Sequence, residues 1–241
     1  MKSKTIKKAF WFFVILVTVG CSSTKFYEPL NKGEQVLTSH FGGPIATVPG
    51  IGSIPLPFTS IGYANGITDR LTAFGSIYPT SLLFGVGQLD LGVNFGLWES
   101  SLKNQGLSIT PVLNTLVDLY TGTNRFWPQL DVNFYSNYIT WKTFDEFGKL
   151  STIKKNAYYV GLSNWIDPYL MESQGRRNEQ FWIPSLQIGH AWNRIRWNYL
   201  IECKFLAPIY SNENIVVNYP SVLGDFGALG AYFTIQYKLT K

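Results

Sequence analysis

The sequence predicts an all-β fold, an antiparallel up-and-down transmembrane β-barrel of about ten strands, with eight as the alternative count. Three observations point there: segments that alternate polar and apolar residues, tryptophans gathered at the ends of those segments, and a charged fraction of only 15% against 16% aromatic. The clearest segment is Gly87 to Trp98, GQLDLGVNFGLW. Gln88, Asp90, Gly92, Asn94 and Gly96 fall on one face, and Leu89, Leu91, Val93, Phe95 and Leu97 on the other. That is the period of a strand. Its length suits a tilted crossing of a bilayer, which takes about ten residues.

The chain opens with Lys2, Lys4, Lys7 and Lys8, runs through apolar residues from Ala9 to Val19, and reaches Gly20-Cys21-Ser22-Ser23. A basic start, a short apolar run and a small-residue exit predict an export signal over residues 1–20, too short to span a membrane as a helix. A Cys directly after Gly resembles the lipobox of bacterial lipoproteins, which implies that Cys21 carries acyl chains; Thr18 stands where that pattern favours Leu. Residues 21–33 then read as a lipid-anchored polar linker, and 34–241 as the barrel.

Lys plus Arg number 20 and Asp plus Glu 15, but four lysines and no acid lie in the signal, so the rest carries 16 against 15. The high pI therefore reflects the signal and gives no argument for a nucleic-acid partner. With only Cys21 and Cys203 present, no disulfide framework is expected.

Taken in order, Glu34 to Ala46 is the weakest strand because Gly42, Gly43 and Pro44 interrupt it, and Val48 to Pro57 reads as a loop. Two runs in PFTSIGYANGITDRLTAFGSIY form a hairpin through Asn65-Gly66 and Asp69-Arg70. After Gly87 to Trp98 come Leu107 to Tyr120, a turn at Thr121 to Asn124, and Phe126 to Trp141, with Gln129, Asp131 and Asn133 opposite Leu130, Val132 and Phe134. Lys142 to Lys155 reads as a polar connection, followed by strands at Asn156 to Trp165, Phe181 to Trp192, Arg196 to Phe205 and Ala228 to Leu239. Ala207 to Asp225 reads as a long loop, and Arg176-Arg177 falls in another.

Alternation alone also fits a soluble sandwich or lipocalin-like barrel that turns its apolar face inward. Trp98, Trp127, Trp141, Trp165, Trp182, Trp192 and Trp197 all sit near strand ends, the girdle expected of a membrane barrel. The apolar faces carry no charge, whereas a Lys at mid-membrane costs about 2 to 4 kcal/mol. The signal with GCSS, the GITDRL turn, the GVGQLDLGVNFGL strand and the amphipathic last strand together resemble small outer-membrane β-barrel lipoproteins and porin-like proteins of Gram-negative bacteria. The resemblance implies an outer-membrane location, with membrane lipids and the outer-membrane assembly machinery as partners and no cofactor. One departure is the ending, Tyr237-Lys238-Leu239-Thr240-Lys241, where such barrels close on an aromatic residue.

For chemistry, the strand charges Asp90, Asp118, Asp131, Glu202, Lys204 and Lys238 form a candidate lumen cluster. They would line a path for small polar solutes or cations, or pair into a solid polar plug. A lumen enzyme acting on lipid or peptide would use Asp131 or His40, and His190 reads as interfacial. No spacing suggests a metal site. A surface-interaction protein would use the Ala207 to Asp225 loop with Tyr210, Tyr219 and Phe226. Passive transport or a structural duty is expected ahead of catalysis, and a soluble periplasmic barrel binding a hydrophobic ligand is the alternative.

Overall fold

The computed structural model describes residues 23–48, 50, 52–102, 104–144, 150–168, 181–212 and 218–240. Its strands are β1 (Gln35–Val48), β2 (Gly52–Pro55), β3 (Thr59–Thr68), β4 (Leu71–Ile77), β5 (Val86–Glu99), β6 (Gln105–Asp118), β7 (Asn124–Phe144), β8 (Leu150–Ile166), β9 (Trp182–Asn193), β10 (Trp197–Ser211) and β11 (Phe226–Lys238). A single helical turn, α1 (Pro79–Leu82), bridges β4 and β5. Each strand from β3 onward pairs antiparallel with its sequence neighbour, β1 pairs with β3, and β11 returns to β1. The result is a closed ten-strand barrel, with β2 as a short extra partner for the upper end of β1.

The first strand settles the count at ten. It pairs with β11 from Val36↔Lys238 to Pro44↔Gly230 and with β3 from Gln35↔Asn65 to Phe41↔Thr59. Gly42 takes φ +127, and a Cβ there would collide with the Ala231 carbonyl, so the residue that weakened the strand in the sequence is what lets β1 bend against β11. Pro44 closes the ladder with β11, where its missing N–H is tolerated, and beyond it β1 turns to β2.

Two connections are shorter than the sequence suggests. The polar stretch Lys142 to Lys155 is mostly strand: β7 and β8 continue to pair from Ile139↔Lys155 to Phe144↔Leu150. Their outer neighbours stop sooner, β6 at Ser136↔Gln105 and β9 at Lys155↔Asn193. A two-stranded ribbon therefore projects past the lower rim, the rim that carries Gln35 and Lys238. Backbone pairing needs no apolar face, so composition hides it. Likewise β10 runs on to Ser211 through a bulge after Leu206, with Ala207 at φ 49, shortening the expected Ala207 to Asp225 loop.

Polarity is inside out relative to a soluble protein. Leu37, Phe41, Ile61, Leu91, Leu113, Phe134, Val160, Ile188 and Ile201 are exposed on the outer surface, while Asn94, Ser108, Thr110 and Asn133 have no exposure at all. A soluble β-fold with an inward apolar face is thereby set aside. Trp98, Trp182 and Trp197 are exposed near strand ends. His190 also faces outward, its Nε2 2.9 Å from Tyr138 Oη and its ring 4.3 Å from that of Trp192. Two tryptophans correct the girdle: Trp127 and Trp165 are buried inside, ring centroids 6.0 Å apart, with Val86 and Leu116.

At the lower rim the seam is fastened by Leu239 N–H donating to the Gln35 carbonyl at 2.8 Å and by Lys238 Nζ at 2.8 Å from Glu34 Oε1. Partial burial alone would raise the Glu34 carboxyl, but the Lys238 ammonium and Asn31 outweigh it and hold it below its usual range. A depressed folded value stabilises the fold above the unfolded value of 4.5 and is lost as pH falls through the folded one. The melting-temperature advantage of the native chain over Glu34→Gln is therefore expected to hold near neutrality and shrink below pH 4.5. Thermal unfolding of both chains across that range checks it.

Candidate functional site

The lumen is the candidate site, and its main occupant is the chain itself. Residues 21–33 read as a polar linker, but 23–30 lie inside the barrel: Ser23, Thr24, Lys25, Phe26, Tyr27 and Leu30 are all buried. The segment leaves β1 through a tight turn at Asn31 to Glu34, with Glu34 N–H donating to the Asn31 carbonyl at 3.0 Å. Gly33 supplies the positive φ of 76 that this turn requires. Lys32 N–H is fixed to Asp69 Oδ1 at 3.0 Å on the β3–β4 turn, and from there the chain climbs the lumen.

The barrel wall holds it with side chains, and no strand ladder forms over 23–33. Leu30 N–H donates to Thr72 Oγ1 at 2.7 Å. Asn94 Nδ2 donates to the Phe26 carbonyl at 3.0 Å, and Ser108 Oγ to the Tyr27 carbonyl at 2.7 Å. Thr24 N–H donates to Glu202 Oε1 at 3.0 Å. Tyr27 stacks on Tyr159 with ring centroids 5.0 Å apart and meets Tyr135 edge-on at 6.0 Å, while Phe26 packs on Phe74. Four wall side chains thus take up polar groups of the segment's backbone, as burial of those groups requires.

Four of the six charges read from the sequence face this interior. Asp90 Oδ2 lies 3.0 Å from Lys25 Nζ and accepts the Tyr78 hydroxyl at 2.6 Å. Asp131 accepts Gln129 Nε2 at 2.9 and 3.1 Å and Ser163 Oγ at 2.5 Å. Glu202 lies 3.6 Å from Lys204 Nζ and accepts the Tyr159 hydroxyl at 2.9 Å. The other two are corrected. Asp118 ends β6 and turns its carboxylate onto the Tyr120 and Thr121 amides of the next turn, at 2.8 and 3.1 Å. Lys238 sits at the lower rim with Glu34. In both cases the last residue of a strand follows its turn or seam and leaves the lumen to residues nearer mid-strand. Cys21 and Arg176-Arg177 lie outside the described residues.

The ion-pair partner of Asp90 is none of the other strand charges but Lys25, which lies in the stretch that the sequence reads as a linker. The enzyme candidates fare differently. Ser23 Oγ and Thr234 Oγ1 both lie 2.8 Å from His40 Nδ1, yet no carboxylate orients the ring, and Nε2 has no hydrogen-bond partner among the described residues. Asp131 is held by neutral donors alone. Among the described residues no group of three or more His, Cys, Asp or Glu could share a metal ion.

Neither a family model nor a curated protein sequence matches the chain. Solved structures do. The chain is similar to the NanC porin at 11% identity and a TM-score of 0.38, over 86% of this chain and 100% of that one. It is similar to an outer membrane channel from Pseudomonas putida F1 at 11% identity and 0.42, over 90% and 100%. The translocator domain of autotransporter NalP from Neisseria meningitidis gives 10% and 0.36, over 98% and 96%.

Proposed function

We propose that this protein is an outer-membrane β-barrel serving the passage of small polar solutes, closed in the present conformation by its own residues 23–30. One observation carries the reading: a polar, charged interior wrapped by an outer surface of Leu, Ile, Val and Phe. Water would not tolerate so large an apolar surface, and a closed ring leaves no backbone edge unpaired in lipid. A lipid anchor at Cys21 belongs to the same proposal. Cys21 stands two residues before the buried Ser23, so an acylated end and a filled lumen draw on the same short length of chain.

A second reading, a purely structural membrane role, is favoured by the burial of Ser23, Thr24, Lys25, Phe26, Tyr27 and Leu30. The mature chain and a chain lacking residues 23–33, each refolded into planar bilayers, separate the two. Passage predicts a stable open level in the deleted chain that the full chain lacks. Insertion with a gel shift on boiling but no conductance in either chain supports the structural role, and failure of both chains to enter membranes overturns the proposal.

A further inference from the structure

We propose that the pocket around Lys25 Nζ is a recognition site for the primary ammonium group of a small solute, filled here by the chain's own lysine. The inference rests on the passage reading, since a solute reaches this pocket through the lumen.

A primary ammonium has three N–H donors and no acceptor. Lys25 Nζ meets three oxygens: Asp90 Oδ2 at 3.0 Å, Ser60 Oγ at 3.1 Å and Tyr78 Oη at 3.3 Å. Tyr78 gives its own proton to Asp90 and so keeps lone pairs for the ammonium. Its ring lies 5.0 Å from the nitrogen, adding the attraction of an aromatic face for a cation. Charge, donor count and shape therefore all match one functional group.

The pocket belongs to the barrel and not to the lysine. Ser60 and Asp90 stand on β3 and β5, both in the ring ladder, and Tyr78 N–H is fixed to the Gln88 carbonyl at 3.1 Å. With the segment in place their exposures are 2%, 0% and 5%, so each is buried between the wall and the segment. Lys25 rides on a segment without a ladder and can leave while the pocket stays. Asp90 Oδ1 has no hydrogen-bond partner among the described residues, an acceptor that Lys25 does not use. A ligand carrying a second donor next to its ammonium would reach it. A quaternary ammonium has the charge but no N–H, and would push methyl groups against Asp90 and Ser60.

The test uses the full mature chain with Lys25→Ala in detergent, probed with n-butylammonium and with butyltrimethylammonium. At a hundred times its Kd, n-butylammonium is expected to raise the melting temperature by about 5 to 10 °C. Butyltrimethylammonium should leave it unmoved, and Lys25→Ala/Asp90→Asn should respond to neither. An equal response to both amines, or one that survives Asp90→Asn, overturns the proposal. If Lys25→Ala does not fold, refolding yield takes the place of melting: recovery with the primary amine alone supports the site, and no recovery with either overturns it. Conductance of the chain lacking residues 23–33 separates the two ideas. Amine rescue of Lys25→Ala with no conductance in the deleted chain upholds the site and sinks passage, whereas conductance in the deleted chain without amine rescue of Lys25→Ala does the reverse.

Discussion

Replacing Glu202 by alanine is expected to lower the unfolding free energy by about 3 to 5 kcal/mol, the range for breaking a buried ion pair by removing one partner. Glu202 is the ion-pair partner of Lys204, whose side chain is 2% exposed, and the same carboxylate accepts the Thr24 amide and the Tyr159 hydroxyl. Alanine leaves a buried ammonium, an N–H and an O–H without their acceptor. Glu202→Gln keeps an oxygen for one of the two neutral donors and should lose less. Glu202→Ala/Lys204→Met removes the stranded charge as well and should recover part of the loss. Urea titrations of the four chains in detergent, read by tryptophan fluorescence, give the comparison. A loss under about 1 kcal/mol in the single alanine variant, no more than an ordinary hydrogen bond, would mean that Lys204 is solvated in the lumen.

Val160→Lys is the second large effect. Val160 lies mid-strand on β8, 53% exposed, between Phe134 on β7 and Ile188 on β9, both exposed on the same surface. In a bilayer a lysine near the midplane costs about 2 to 4 kcal/mol, decreasing toward the interfaces. On the surface of a water-soluble protein the same change would fall within about 0.5 kcal/mol. Unfolding in vesicles of short-chain and long-chain lipid distinguishes them, because the penalty should grow with bilayer thickness. A neutral result in both would show that this face does not meet lipid.

The ring of strands is legible because the period of two is a local property, repeated along every crossing. Asp90, Asp131, Glu202 and Lys204 could be placed inward from parity alone. The same rule held information about Trp127, which shares its parity with Gln129 and Asp131, and about Trp165, which shares it with Ser163. Nearness to a strand end suggested lipid, yet parity decides the direction of a side chain and sends both rings into the lumen. The interior segment was harder to see. Nothing in its order repeats, and its partners on the wall lie 17 to 178 residues away. Its signals were the apolar Phe26, Tyr27 and Leu30 in a supposed tether, and the turn chemistry of Asn31-Lys32-Gly33-Glu34 just ahead of β1.

The occupied lumen also bears on how the barrel assembles. Residues 23–33 precede β1, so in chain order the filling is available before any wall exists. Most wall pairings join neighbours in sequence and close over short loops, but the β1–β11 seam joins Val36 to Lys238 and carries the greatest loop-closure entropy. Thr24 spans nearly the same distance when it meets Glu202 on β10. The segment thus ties the first-made part of the chain to the penultimate strand beside the seam, and shortens the search for the last one. In kinetic terms the plug is a tether between the two edges of an unfinished sheet, and a chain without it has to find ring closure unaided.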